Sequence, residues 1–493
     1  MDSLLLLLLL PFAGAVFVFL LPRRLAHRAR PVAALFSGLA LVYALSLLRH
    51  FSLDEPGTQL LAQTEWNHEL GTSLAIGIDG FSYPLILLTT LLTLLAISVS
   101  GRITERPQTY FMLILALESA TLGVFAAQDW ALFYVFWELV LIPLFFLLDR
   151  WGDRQRQTAA LNFVLYTMGG SVFMLLSLLV LFDANPAHSF LFDSMRASAQ
   201  QLPASEQLLI FLGLLIGFGV KMSLFPLHGW LPLADVEAPN PVAILLSGVL
   251  LKMGAYGLIR SSAMLPSAAL QLQDGLLLIG LIGLIYGGLL AWRQDDLKKV
   301  IAYSSISHMG LVLIGIASLN HNGMLGAMTQ MVAHGLTAAA LFMLAGLLYE
   351  RTGTRDLRHY GCMISNTPRF ALFFVIAFAG TIGLPGTAAF PGEVHTLIGG
   401  FERWQWLIAL LAPGILIAAT YSLRPLKQLY TGSANPATAQ LADLSLTETL
   451  AAGVLVAGIL LLGLYPHPLT ALLDNSVTAF AANFSGPEFV HVD

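Results

Sequence analysis

The sequence predicts an all-α polytopic membrane protein of about 14 transmembrane helices. Three observations predict it. First, 57% of the 493 residues are hydrophobic and only 11% are charged, whereas a water-soluble domain carries about 25% charged residues. A chain so apolar cannot cover its surface in water, so its solvent is lipid. Second, the apolar residues gather into stretches of about 20, the length that crosses a hydrocarbon core of about 30 Å. Third, Lys and Arg are divided unevenly between alternate loops, as the positive-inside rule requires.

The expected spans are 3–21, 32–50, 81–100, 109–127, 130–148, 158–182, 207–226, 241–262, 273–292, 299–318, 323–349, 370–400, 406–427 and 447–466. With the N-terminus outside, the outer loops hold only Arg49, Arg196, Arg260 and Arg403. Lys221 and Lys252 fall within spans, and the other eighteen of the 24 basic residues lie inside. The first apolar run has its positive charge after it, at Arg23, Arg24, Arg28 and Arg30. A signal peptide has it before, so this run reads as a retained span. Both termini are expected on the outer, periplasmic side of a bacterial inner membrane, with no soluble domain and the longest loops near 51–80 and 183–206.

Composition also excludes several function classes. The net charge of -5 comes with no basic patch for nucleic acid. Cys362 is the single cysteine, and one thiolate holds neither an iron–sulfur cluster nor a structural zinc. There is no P-loop and no Gly-rich turn to seat a dinucleotide. The chain is expected to carry no cofactor or metal of its own.

Charges kept inside the spans point to function. Lys or Glu at a membrane helix centre costs about 2.5–3.5 kcal/mol. Glu118 and Glu138 sit midway along the fourth and fifth spans, Lys221 in the seventh, Lys252 in the eighth and Glu393 in the twelfth; His308 and His334 lie near the middles of the tenth and eleventh. Buried ion pairs add little net stability, so a series of carboxylates, amines and imidazoles in successive helices reads better as a proton relay than as structural glue. Pro143 and Pro226 each free a carbonyl four residues back, next to Glu138 and Lys221, and a freed carbonyl in a bilayer must find water or a side chain.

Two spans are interrupted. The seventh runs Gly217-Phe218-Gly219-Val220-Lys221-Met222-Ser223-Leu224-Phe225-Pro226, and the twelfth holds Gly383-Leu384-Pro385-Gly386 and Phe390-Pro391-Gly392-Glu393. They lie five spans apart and so cross in opposite senses, the pattern of an inverted-repeat transporter. The expected organisation is three N-terminal helices (1–108), a five-helix bundle of spans four to eight (109–262), its inverted counterpart of spans nine to thirteen (273–427) with broken helices 7 and 12, and a C-terminal helix (447–466).

These residues also carry a resemblance. Phe133-Tyr134-Val135-Phe136-Trp137-Glu138, Ile78-Asp79-Gly80, Lys221 with His228-Gly229-Trp230-Leu231-Pro232, Glu237-Ala238-Pro239, and Leu250-Leu251-Lys252-Met253-Gly254-Ala255-Tyr256-Gly257 appear in order. They are followed by Ala302-Tyr303-Ser304-Ser305-Ile306-Ser307-His308-Met309-Gly310, Ala333-His334-Gly335 and Gly383-Leu384-Pro385-Gly386. From about residue 75 to 430 the chain resembles the chain 4, or subunit M, family of respiratory complex I, which is related to Mrp-type antiporter subunits. The chain ends soon after the fourteenth span, where subunit L relatives continue.

The resemblance implies a proton-translocating, antiporter-like subunit of an NADH:quinone oxidoreductase. It implies L- and N-like neighbours and a peripheral redox arm that holds the NADH, FMN, iron–sulfur and quinone sites. Glu138 and Lys221 would be the coupled ion pair and Lys252 the central relay residue. His308 and His334 would continue the path and Glu393 would lead to the outlet, with Glu118 and His228 as further members. A Mrp-type antiporter or a membrane-bound hydrogenase would use a chain of the same appearance. Two departures stand out: Leu233-Ala234-Asp235 where the family has Asp-Ala-His, so that a carboxylate replaces an imidazole, and Asn162 where relatives often have Lys.

Overall fold

The computed structural model describes residues 3–431 and 441–485. Two helices, α1 (Ser3–Leu20) and α2 (Ala29–Ser46), are followed by a hairpin of β1 (Gln59–Asn67) and β2 (Thr72–Ile78). Next come α3 (Ser82–Val99), α4 (Pro107–Ala126), α5 (Trp130–Leu139), α6 (Leu141–Trp151), α7 (Arg156–Asp183) and the short α8 (Phe192–Ala199). The middle of the chain holds α9 (Ala204–Met222), α10 (Leu231–Glu237), α11 (Asn240–Leu245), a π-helical turn at Leu246–Leu250, α12 (Leu251–Met264) and α13 (Pro266–Gln271). The remainder holds α14 (Gln273–Arg293), α15 (Leu297–Ala317), α16 (His321–Thr352), α17 (Pro368–Ile382), α18 (Ala389–Trp404), α19 (Leu411–Tyr430), α20 (Leu446–Leu464) and α21 (His467–Ala482).

Every stretch marked as a span is helical. Among the described residues, twelve helices are long and apolar enough to cross a membrane, with Leu4–Leu20 and Pro368–Ile382 as shorter apolar helices. Three features were not expected from the sequence, and one of them is not helical. The 51–80 loop folds as the β-hairpin, because strand pairing satisfies backbone groups in a segment too polar for a span. The 183–206 loop contains α8, and α21 follows the last expected span. Arg260, assigned to a loop, lies in α12; its Nη2 pairs with Asp79 Oδ2 at 2.7 Å. Asp79 Oδ1 meanwhile caps α3 by accepting from the N–H groups of Phe81 and Ser82.

The packing makes a buried wall. The segments Asn240–Met264, Leu297–Ala317 and His321–Thr352 are buried along almost their whole apolar length, while α2, α7 and α20 leave most of theirs exposed. Leu35, Val42, Leu165, Val172, Leu450 and Leu461 form outward apolar surface on those three helices. Such surface is unfavourable in water and suits lipid. Within the wall, helices approach through small residues, as membrane helices do. A Cβ on Gly310 of α15 would stand 2.6 Å from the carbonyl oxygen of Gly280 and 2.6 Å from the backbone nitrogen of Leu284, both on α14. Backbone cannot yield as a side chain can.

On the arginine-rich face, Arg355 ties separate parts of the chain together. Its guanidinium reaches Asp153 at 3.3 Å and Asp296 at 3.2 Å, and donates to the carbonyl of Val236 at 2.8 Å. Gly310→Val should therefore cost about 1–3 kcal/mol through overpacking, lowering the unfolding temperature of the detergent-purified chain. Gly169→Ala on lipid-facing α7, where an added Cβ meets nothing within 4 Å, should leave it unchanged or slightly higher.

Candidate functional site

The polar centre is built on the three buried segments. Lys252, fully buried, opens α12 directly after the π-helical turn. Such turns widen a helix and recur at functional positions. Its Nζ donates to the backbone carbonyl of Ser247 at 2.5 Å and lies 2.6 Å from Nδ1 of His334 on α16. With Lys252 as the ammonium, which only donates, Nδ1 accepts and Nε2 of His334 carries the hydrogen; with Lys252 as the neutral amine, Nδ1–H can donate to it. The rings of His334 and His308 are 5.4 Å apart between centroids. Gln330 Nε2 lies 3.3 Å from Nδ1 of His308, and Tyr421 OH lies 3.2 Å from its Nε2.

Glu393 lies beside the break between α17 and α18. Helix α17 stops at Gly383, whose φ of +73° is left-handed, and the chain resumes as α18. Glu393 folds its carboxylate back onto this break: a Cβ on Gly383 would lie 2.2 Å from Oε2. Gly392 beside it abuts Gln330, the partner of His308. Gln330 and Tyr421 went unread in the sequence because a neutral amide and a phenol in apolar helices look like ordinary core residues.

Lys221 closes a second group. Helix α9 ends at Met222, and Ser223 takes a left-handed conformation with φ +60°. The expected proline kink is thus a full stop, with Pro226 beyond the helix end. Lys221 Nζ rests over the rings of Trp137 and Phe163, at 5.5 and 5.4 Å from their centroids. Among the described residues no ion pair joins it to Glu138. Lys221 Nζ and Glu138 Oε1 are both buried without hydrogen-bond partners. The aromatic rings take the cation that the carboxylate does not touch. Glu138 borders the break between α5 and α6 at Val140, three residues before Pro143.

The two groups are adjacent. Gly254, two residues beyond Lys252, lies against the backbone of Phe218 and Met222, on either side of Lys221. The remaining two candidates stand apart. Glu118 is buried in α4, and its Oε1 accepts from Ser37 of α2 at 3.0 Å. His228, half-buried, stacks on Phe225 and meets Tyr286 edge-on. Asp235, noted only as a departure, proves central: it is fully buried and accepts from the Ser247 hydroxyl at 2.6 Å.

Comparisons place this arrangement. A family profile described as NADH:quinone oxidoreductase/Mrp antiporter, TM, matches residues 127–418. The chain is 41% identical over 491 residues to a NAD(P)H-quinone oxidoreductase chain 4 of Synechococcus elongatus, covering 97% of this chain and 91% of the relative. It is 38% identical to one from Thermosynechococcus vestitus, covering 97% and 92%. A chain of respiratory complex I from Thermus thermophilus with bound NADH superposes with a TM-score of 0.89 at 32% identity, over 98% of this chain and 100% of that one. An archaeal membrane-bound sulfane sulfur reductase shares the fold, with a TM-score of 0.86 at 23% identity, covering 96% and 77%. With a profile match over more than half of its length and about 40% identity to chain 4 proteins over nearly all of it, the chain belongs to the NADH:quinone oxidoreductase/Mrp antiporter transmembrane family, among its chain 4 members.

Proposed function

We propose that this chain is the proton-translocating membrane-arm subunit of an NAD(P)H:quinone oxidoreductase in a bacterial inner membrane, with both termini on the outer side. The observation that carries this reading is the buried contact of Lys252 Nζ with His334 Nδ1 at 2.6 Å, with the His308 ring 5.4 Å from that of His334 between centroids. An amine and an imidazole in direct contact can pass a proton between them, because each has a stable charged and a stable neutral state. Pyridine nucleotide, flavin, iron–sulfur clusters and quinone belong to partner chains, and the one cysteine is in keeping with that.

The path runs from Glu138 and Lys221, through Lys252, His334 and His308, to Glu393. Glu138 faces an apolar groove of about 590 Å³ lined by Tyr134, Leu139, Phe145, Val164 and Met168. A helix of an L- or N-like neighbour would reach Glu138 there. When Glu138 approaches Lys221, the ammonium is held; when it withdraws, the ammonium gives its proton onward and becomes a neutral amine. Driving one charge across the membrane takes about 2.3 kcal/mol per 100 mV, within the several kcal/mol that unpairing buried charges releases or absorbs. Packing supports the two-bundle organisation: broken α9 lies along α7 as α18 lies along α16.

Lys252→Met in the assembled complex should abolish proton uptake into inverted vesicles while quinone reduction by the uncoupled complex persists. Intact pumping would refute the relay, and purification with subunits other than flavin and iron–sulfur chains would move it to a different complex. Gly383→Ala should strain the left-handed break by about 1–3 kcal/mol and displace the Glu393 carboxylate. Translocation should then fall more than subunit assembly, measured as pumping per complex.

A further inference from the structure

A cavity of about 710 Å³ opens on the arginine-rich face, between the start of α2, the turn that joins α3 to α4 and the first turn of α20. Arg30 and His27 line it together with Ser98, Ser100, Thr104 and Thr447, and no carboxylate does. Two other cavities on that face differ: Asp153 and Glu350 line one, and Asp295, Asp296 and Asp356 line the other. Glu448, next to Thr447, is held by Arg351 at 2.6 Å and stays out of the lining. Arg30 is half-buried, with its guanidinium set against the turn: a Cβ on Gly101 would lie 2.7 Å from Nη1. Among the described residues, Arg23, Arg24, His27, Arg28 and Arg30 form no ion pair. Topology asks for positive charge at this face, and exposed arginines satisfy it. A carboxylate-free cavity with a guanidinium in its wall goes beyond that need and suits an anion. The cavity also continues onto lipid-facing surface. Pro31 lines it, and Leu35, Leu39 and Val42 follow on the same side of α2, at 59%, 45% and 65% exposure. From Pro31 to Val42 the helix rises about 16 Å, roughly half of a hydrocarbon core of about 30 Å, which is the depth of one leaflet.

We propose that this cavity binds the headgroup of an anionic phospholipid from the leaflet at this face, with an acyl chain laid along α2. Arg30 takes the phosphate, to which a planar guanidinium offers two parallel N–H donors. Arg23, Arg24 and Arg28, exposed on the adjoining 3-10 turn, add positive charge beside it. The hydroxyls of Thr104 and Thr447 serve the polar remainder of the headgroup. The stripe of Leu35, Leu39 and Val42 takes the chain. A lipid so placed joins α2, the α3–α4 turn and α20, three parts of the chain that meet at this cavity.

The test uses the assembled complex in mild detergent and a phosphatidylglycerol with a photoreactive group on one acyl chain, with cross-links mapped by mass spectrometry. Labelling is expected on α2 between Ala34 and Val42. Excess unlabelled phosphatidylglycerol should remove it, and the same excess of phosphatidylcholine should not. Arg30→Gln should lower labelling about fivefold, and Arg28→Gln combined with Arg30→Gln about thirtyfold, the share that one and two arginines contribute near an anionic lipid. Arg30→Lys, which keeps the charge, should retain more labelling than Arg30→Gln. No labelling of α2, equal removal by phosphatidylcholine, or labelling unchanged in Arg30→Gln would each overturn the site. Removal by millimolar inorganic phosphate would make it a site for a free anion and overturn the lipid. A neighbouring chain cross-linked into the cavity would overturn it as well. If Arg30→Gln does not assemble, competition between the two lipids on the unaltered complex decides.

Discussion

A charge buried in lipid-facing protein must find another polar group within reach, and the architecture of this chain follows from that requirement. Lys252 lies where no water reaches from outside, and insertion of a lysine at such depth costs about 2.5–3.5 kcal/mol. The contact with His334 and the Ser247 carbonyl offsets that cost. To make it, Lys252 has to stand at a widened turn, and α12, α15 and α16 have to pack as a wall without gaps. The small residues at helix crossings, Gly280 against Gly310 among them, permit that packing.

Breaks in helices serve the same requirement. A regular membrane helix uses all its backbone groups internally and offers none to a titratable side chain. At Ser223, Gly383 and the π-helical turn the backbone departs from the α-helix, and Lys221, Glu393 and Lys252 each lie within ten residues of one of these places. Ser223, Gly383 and the π-helical turn are themselves buried, which is where membrane proteins tolerate irregular backbone. Function and irregularity coincide because a proton carrier needs a partner that the regular helix withholds.

The two polar groups are joined by direct backbone packing. Lys221 and Lys252 sit on packed helices whose backbones touch at Gly254, so a shift at the end of α9 reaches the start of α12 directly. On the arginine-rich face Arg355 joins Asp153, Val236 and Asp296. It thereby binds the segment before α7, the end of α10 and the start of α15. The ion pairs and hydrogen bond of Arg355 thus hold three separate segments together at that face.

Composition, spacing and the division of Lys and Arg were enough to read a polytopic helical protein, because lipid imposes length and charge rules on each span separately. The titratable residues were legible for the same reason: Glu138, Lys221, Lys252, His308, His334 and Glu393 are conspicuous in apolar surroundings. Which of them touch was decided by the tertiary fold. Glu118 looks equivalent to Glu138 along the chain, yet it turns to Ser37 and away from the line. Gln330, Tyr421 and Ser247 are unremarkable in sequence, yet they complete the contacts of the histidines and the lysine. The expected Glu138–Lys221 contact gives way to aromatic rings over the ammonium. A sequence records the cost of each buried charge one helix at a time, whereas the partner that offsets it comes from another helix, often some 80 residues away, and only packing brings the two together.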